Sequence, residues 1–319
     1  MSIVFLDRGT FAATVRFAPA GAGVAGRSWR DHSHTPPELV LERARDAEVV
    51  VTNKVPLPAA LIEQLPRLRL VACAATGVDN VDVDAARRRN VAVCNVRGYA
   101  IHSVPEHVFA MLLALRRNLL RYRQAVQAGE WARSDSFCLL TESIEDLAGA
   151  TLGIVGAGAL GQSVARLGEA FGMNVLLAER RGAEKVRPQR AAFDRVLSDS
   201  DIISLHVPLT PQTRNLIGRD ELARMKPTTI LINTARGGIV DETALLAALR
   251  GGHLAGACLD VLGEEPPAAD HPLISAGLPN LLVTPHIAWA SRQAQQRLAD
   301  EVIENIAAFF RGEARNRVA

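Results

Sequence analysis

The chain has 319 residues, 48% of them hydrophobic and 22% charged, with Lys plus Arg at 36 against Asp plus Glu at 34. A formal charge of +2 excludes a strongly basic nucleic-acid binder and an acidic tail protein, and the apolar share excludes a disordered chain. The length suggests two domains with cores large enough to need no disulfide or metal staple.

Residues 1–6, MSIVFL, lack a basic leader, and no apolar run approaches about 18 residues, so neither a signal peptide nor a membrane span is expected. Cys73, Cys94, Cys138 and Cys258 form no CxxC pair, which argues against a zinc or redox motif. Isolated thiols at apolar positions fit a reducing, cytoplasmic setting.

Strands and helices alternate from the start. Residues 2–6 read as a buried strand, 37–46 as a helix, 49–52 as a strand and 58–65 as a helix. An apolar run at 68–73, a helix at 83–89 and a strand at 91–95 complete the first series. Strand, helix, strand with short Gly or Pro breaks predicts a parallel sheet covered on both faces. A long helix follows, with Ser103 as cap, Glu106 at the capping-box position and Pro105 in the first turn. Residues 121–146 are polar and irregular, with Trp131 and Phe137 as the large anchors, and read as an excursion suited to a dimer arm.

A second series begins at Thr151. Strands are expected at 152–155, 174–178, 202–205, 230–233, 255–260 and 281–283, with helices such as 160–170 and 241–250 between them. A final helix at 291–311 places Leu298, Val302, Ile306 and Phe309 on one face. No strand follows it, so a discontinuous first domain closed by this helix is expected, with hinges over a cleft.

Residues 152–161 carry Gly156, Gly158 and Gly161 as G-x-G-x-x-G between an apolar strand and a helix. That context, rather than the glycines alone, points to a dinucleotide pyrophosphate at a helix N-terminus. Glu179 ends the next strand, where a carboxylate accepts from ribose hydroxyls and repels a 2′-phosphate, which favours NAD. Arg180 and Arg181 follow at once and suit a 2′-phosphate, so NADP stays open.

Three polar residues stand beyond strand ends, where ligands of open α/β sheets bind: Arg236, Glu265 and His286. Singly, each has a plainer reading, as a loop cation, a solvated loop acid or a core histidine. Jointly they match one task. A guanidinium fork binds a carboxylate, a histidine moves a proton, and a neighbouring carboxylate stabilises imidazolium and fixes the ring. His206 is expected to line the cofactor cleft, and His102 stays open. For His32, His34, His107, His253 and His271, surface or capping roles are expected.

The stretches AATGVDNVDVDAA (74–86), SVPEHVFAMLLALRR (103–117), LGIVGAGALGQSVA (152–165), SLHVPLTPQTRNLI (204–217), NTARGGIVDETALLAAL (233–249), LDVLGEEPP (259–267) and TPHIAWAS (284–291) span the chain. Together they resemble the D-isomer-specific 2-hydroxyacid dehydrogenase family. Within it, NVRGYA, SVPEHV and TPHIAWAS look most like the bacterial members that reduce hydroxypyruvate.

The resemblance implies an α/β fold of two Rossmann-like domains with parallel sheets. The outer, substrate domain is discontinuous, 1–101 with 288–319, and 102–287 binds NAD. It implies Arg236, Glu265 and a proton-carrying His286 as catalytic residues. Cofactor contacts are implied at Val104, Gly156, Gly158, Ala159, Leu160, Gly161, Glu179, Arg180, His206, Val207, Pro208, Thr213, Thr234, Ala235, Arg236, Asp260, His286 and Ala288. Substrate contacts are implied at Thr76, Gly77, Arg236 and His286, with no metal. The implied reaction moves hydride between NADH and a small 2-keto acid, giving D-glycerate from hydroxypyruvate or glycolate from glyoxylate, in a homodimer with no nucleic-acid or membrane partner. Dehydrogenases of pyruvate or phosphoglycerate type, and a non-catalytic NAD-sensing corepressor, are the alternatives.

Overall fold

The computed structural model describes residues 2–17, 24 and 26–319. The chain divides into two compact units, Met1–Tyr99 with Ala290–Ala319, and Ala100–Trp289.

In the first unit, β1 (Ser2–Phe5), β2 (Ser28–Asp31), β3 (Val49–Thr52), β4 (Leu70–Cys73) and β5 (Ala92–Cys94) form one parallel sheet in the order β2-β1-β3-β4-β5. Helices α1 (Val40–Ala44), α2 (Ala59–Glu63) and α3 (Val83–Arg88) connect them. Every residue of β3 and β4 is buried, as expected of central strands covered on both faces. β2 was not expected. Its sequence, Ser-Trp-Arg-Asp, is largely exposed along the sheet edge and shows neither an apolar run nor an alternation. The helix expected at 37–46 is a 3-10 turn, Pro37–Leu39, running into the short α1.

The C-terminal helix Arg292–Phe310 packs on β4, capped by Ser291, whose side chain accepts from the Ala294 N–H at 3.1 Å. Leu298, Val302 and Ile306 are fully buried on it, each contributing about 1.5–3 kcal/mol. Phe309 is only half-buried. The chain then returns to β5, where the Val318 N–H donates to the Val93 carbonyl at 2.8 Å.

In the second unit, α4 (Ser103–Arg116) and α5 (Leu119–Gln127) precede a six-stranded parallel sheet. Its strands are β6 (Thr151–Val155), β7 (Asn174–Leu177), β8 (Ile202–Leu205), β9 (Ile230–Asn233), β10 (Gly256–Leu259) and β11 (Leu281–Val283), in the order β11-β10-β9-β8-β6-β7. Helices α6 (Ala159–Ala170), α7 (Phe193–Asp199), α8 (Arg219–Arg224), α9 (Glu242–Arg250) and α10 (Pro272–Ser275) fill the connections. The order reverses between β6 and β8, so the crevice at the carboxyl end of this sheet opens beside β6. Beyond the end of β7 a single isolated bridge pairs Ala178 with Ala191.

Two expectations need correction here. Ser103 does not cap α4; His102 holds that position, and the Ser103 hydroxyl donates to the Ala288 carbonyl at 2.6 Å. Phe137 does not anchor the 121–146 stretch, being 91% exposed, and Trp131 is half exposed. The start of that stretch is helical, in α5, which showed no apolar stripe because it buries only Ala125.

Candidate active site

β6 ends at Val155, and the chain turns through Gly156 with φ +99°, a left-handed conformation that costs L side chains energy. A Cβ on Gly156 would lie 2.6 Å from the His206 carbonyl oxygen, and one on Gly161 would lie 2.1 Å from the Gly156 oxygen. The turn is therefore closed against protein at both glycines. Gly158, by contrast, faces open space. The N–H groups of Ala159, Leu160 and Gly161 open α6, where no preceding turn can accept from them. This donor set fits a pyrophosphate. Gly156→Ala is expected to lower stability by about 1–3 kcal/mol, measured by urea unfolding.

His206 follows β8, and its Nε2 lies 2.8 Å from the Ser204 hydroxyl. Burial pushes its pKa down from 6.5 to about 4, so the ring is neutral near pH 7. The unfolded chain therefore takes up a proton near pH 6.5 that the folded chain refuses until about pH 4. Stability should be full above that window and fall as pH drops through it. His206→Gln should flatten the thermal midpoint between pH 7 and pH 5; an unchanged slope would assign it to other groups.

The next acid differs from expectation. Glu179 is buried, and both its oxygens are taken within the same loop. Arg187 Nε and Nη2 each donate at 2.6 Å, and the Arg180 N–H donates at 2.8 Å. These bonds, the Arg187 side chain first, hold the carboxyl at about 2. Arg181, considered for a 2′-phosphate, pairs instead with Glu221 at 2.7 Å, while Arg180 is exposed.

Beyond β9 the turn is built by buried Asn233, which sequence reading passed over. Its Oδ1 accepts the Ala235 N–H at 3.0 Å and its Nδ2 donates to the Arg236 carbonyl at 2.8 Å. Arg236 Nη1 donates to the Ala235 carbonyl at 2.8 Å, leaving the side chain half-buried. Gly237 lies against the next loop so closely that a Cβ would sit 1.8 Å from the Leu262 oxygen. That loop carries Glu265. Its Oε1 accepts the Leu262 N–H at 2.9 Å, and its Oε2 lies 2.6 Å from His286 Nδ1. Glu265 and His286 are thus in direct contact, and the Arg236 turn packs on the same loop.

His286 has φ +55°, an uncommon backbone state for a non-glycine residue that surrounding contacts must hold. Asp260, just past β10, supplies them. Its Oδ1 accepts from the Thr284 hydroxyl at 2.5 Å and the Ile287 N–H at 2.9 Å, and its Oδ2 accepts from the Ala288 N–H at 2.8 Å. Burial alone would raise this carboxyl's pKa, but His107, Thr284 and the two N–H groups outweigh it and hold it low. Asp260 and Ala288, expected at the cofactor, therefore brace the segment that presents His286.

His107, expected to be a surface or capping group, belongs to the same network, with Nε2 3.0 Å from the Thr284 hydroxyl and 3.5 Å from Asp260. His271, expected in a surface or capping role, stands at the N-cap of α10 and lies 3.2 Å from Glu242, whose other oxygen accepts the Gly263 N–H at 2.7 Å. Helical periodicity marked His107 only as one position among many on α4. Glu242 is one residue into α9 and reads as an ordinary first-turn acid.

Of the other expected cofactor residues, Val104 is buried, Val207 half-buried and Pro208 exposed. Thr213 braces the loop after β8, donating to the Pro208 carbonyl at 2.6 Å. Thr234 and Ala235 are half-buried, and Thr234 Oγ1 is a buried oxygen with no partner among the described residues. An orphaned hydroxyl beside Arg236 fits a polar ligand group there. Thr76 and Gly77 lie in the first unit beyond β4, where the Thr76 hydroxyl donates to the Val96 carbonyl at 2.7 Å. No cluster of metal-ligating side chains occurs among the described residues.

Residues 109–288 match the family described as D-isomer specific 2-hydroxyacid dehydrogenase, NAD binding domain. Glycerate dehydrogenase of Methylorubrum extorquens is 47% identical over 319 residues, covering 99% of this chain and 98% of that protein. A Thermus thermophilus protein of known structure superposes with a TM-score of 0.86 over the whole of both chains, at 34% identity. D-lactate dehydrogenase of Aquifex aeolicus, solved with NAD and lactic acid, aligns at 29% identity with a TM-score of 0.83, covering 98% of this chain and 96% of that one. With the glycine turn at the switch point of a parallel sheet, these matches show that the chain belongs to the D-isomer specific 2-hydroxyacid dehydrogenase family.

Proposed function

We propose that the protein reduces a small 2-keto acid, hydroxypyruvate or glyoxylate, to D-glycerate or glycolate. The observation that carries this reading is the 2.6 Å contact between His286 and Glu265, on a loop against which the Arg236 turn packs. NADH, when bound, supplies the two electrons and hydrogen that reduce the C2 carbonyl.

The Gly156–Gly161 turn holds the pyrophosphate, and Thr234, Ala235, His206, Val207, Pro208 and Val104 contact the nicotinamide or the adenosine. Arg236 binds the substrate carboxylate through its guanidinium fork. His286, protonated at Nε2, gives its proton to the carbonyl oxygen as negative charge develops there. Glu265 keeps Nδ1–H directed at itself, which fixes the ring and leaves Nε2 for the substrate. The reverse direction uses the neutral ring. The first unit, which carries Thr76 and Gly77, serves as the substrate domain in this reading. An NAD-sensing binding protein has no chemical use for this imidazole–carboxylate pair.

Initial rates with NADH and NADPH against glyoxylate, hydroxypyruvate, pyruvate and formate test the proposal. Turnover should be highest with hydroxypyruvate or glyoxylate. A pyruvate preference would move the protein to another substrate class, and no turnover with any acid would remove the catalytic reading.

A homodimer and a cytoplasmic setting belong to the same proposal. Leu119, Leu120, Val126, Trp131, Phe137 and Leu140 are each at least half exposed along α5 and the stretch after it, which supports a dimer arm. Phe137→Asp with Leu140→Asp should shift sedimentation from dimer to monomer. All four cysteines are unpaired, as a reducing compartment favours. No helix among the described residues is long and apolar enough to cross a membrane.

A further inference from the structure

We propose that Arg187 is a cofactor-specificity residue: by masking Glu179 it lets the adenosine ribose site accept a 2′-phosphate as well as a free 2′-hydroxyl. The inference rests on the dinucleotide reading above and deepens it.

A carboxylate offers about four lone-pair positions on its two oxygens. On Glu179 each oxygen already receives two donors. Oε1 takes Arg187 Nη2 at 2.6 Å and the Arg180 N–H at 2.8 Å; Oε2 takes Arg187 Nε at 2.6 Å and the Arg187 N–H at 3.3 Å. The acid thus has no spare acceptor for ribose hydroxyls, and its charge is cancelled by a guanidinium in fork geometry. The Arg187 side chain is 59% exposed over a Glu179 side chain that is 4% exposed, so a ligand approaching the end of β7 meets the cation first.

The surroundings reinforce this. Between 179 and 190 the chain carries Arg180, Arg181, Lys185, Arg187 and Arg190 against Glu179 and Glu184. Arg181 is committed to Glu221, but among the described residues no side chain holds Arg180 or Lys185. A dianionic 2′-phosphate would find three N–H groups of Arg187 not used by Glu179, with further cations nearby. Removing Arg187 leaves a bare acid that repels phosphate. Removing Glu179 leaves a bare cation that attracts it.

Dissociation constants for NADH and NADPH, measured by fluorescence titration, test the idea on the wild type, Arg187→Ala, Glu179→Ala and the double variant. The wild type should bind the two within about tenfold of each other. Arg187→Ala should shift the ratio toward NADH by about tenfold or more, Glu179→Ala should shift it toward NADPH by a similar factor, and the double variant should return near the wild type. Arg187→Lys, which keeps the charge and loses the fork, should fall between wild type and Arg187→Ala. A wild type that rejects NADPH by more than about a hundredfold would overturn the proposal. So would single variants that weaken both cofactors equally, the mark of a merely structural ion pair. A wild type that binds neither dinucleotide would instead remove the cofactor reading itself.

Discussion

His286→Ala should lower kcat by about two to four orders of magnitude, the usual cost of losing a positioned general acid. Affinity for NADH should stay near that of the wild type, because the glycine turn and the Thr234 region are built without this side chain. The left-handed backbone at residue 286 does not depend on imidazole. It is imposed by Asp260 through Thr284, Ile287 and Ala288 and by the Trp289 indole N–H, which donates to the His286 carbonyl at 3.0 Å. Alanine at this position therefore deletes a proton donor without releasing the segment. Steady-state kinetics with hydroxypyruvate, beside a titration of NADH, separate the two effects. Near-normal turnover would withdraw the proton-donor role and leave His286 as a brace for Glu265.

Arg236→Ala should reduce kcat/KM by about two to four orders of magnitude, most of it through KM. Two charge-assisted hydrogen bonds to a substrate carboxylate, at about 1.5–3 kcal/mol each, set that range. The same carboxylate anchor exists in ground and transition states, which is why KM should carry the larger share. Arg236→Lys should recover only part of the loss, because an ammonium cannot offer parallel donors. The turn itself should persist in both variants, since Asn233 holds it through the Ala235 N–H and the Arg236 carbonyl rather than through the guanidinium. Unaltered KM and kcat in Arg236→Ala would remove this residue from substrate binding.

The sheet strands were the most legible part of the chain. β3, β8 and β9 coincide with predominantly apolar runs and are buried throughout, as central strands covered on both faces must be. β2 escaped because an exposed edge strand has no apolar pattern to read. Ser103 fits a cap by composition, yet its hydroxyl is drawn to the Ala288 carbonyl 185 residues away, a contact no local rule reports. The same limit explains the site. Arg236, Glu265 and His286 could be placed beyond strand ends because the topology of a parallel sheet delivers strand ends to one edge. The 2.6 Å contact between Glu265 and His286, however, depends on the path of a loop stiffened by Glu242 and His271. Glu179 was visible as an acid at the end of β7. That Arg187, eight residues on, folds back and covers it is a property of the loop's tertiary path, not of its composition.

The discontinuity of the first unit bears on the order in which a nascent polypeptide acquires structure. Ala100–Trp289 is contiguous, so every group of the proposed catalytic edge is polymerised before Ala290–Ala319. The first unit, begun before the second, is therefore completed after it. Until the last helix arrives, β4 has no Leu298, Val302 or Ile306 against it, and β5 has no partner at Val318. Until then the sheet of the first unit leaves apolar surface uncovered, the kind of surface that invites association, whereas Ala100–Trp289 already has all of its own strands.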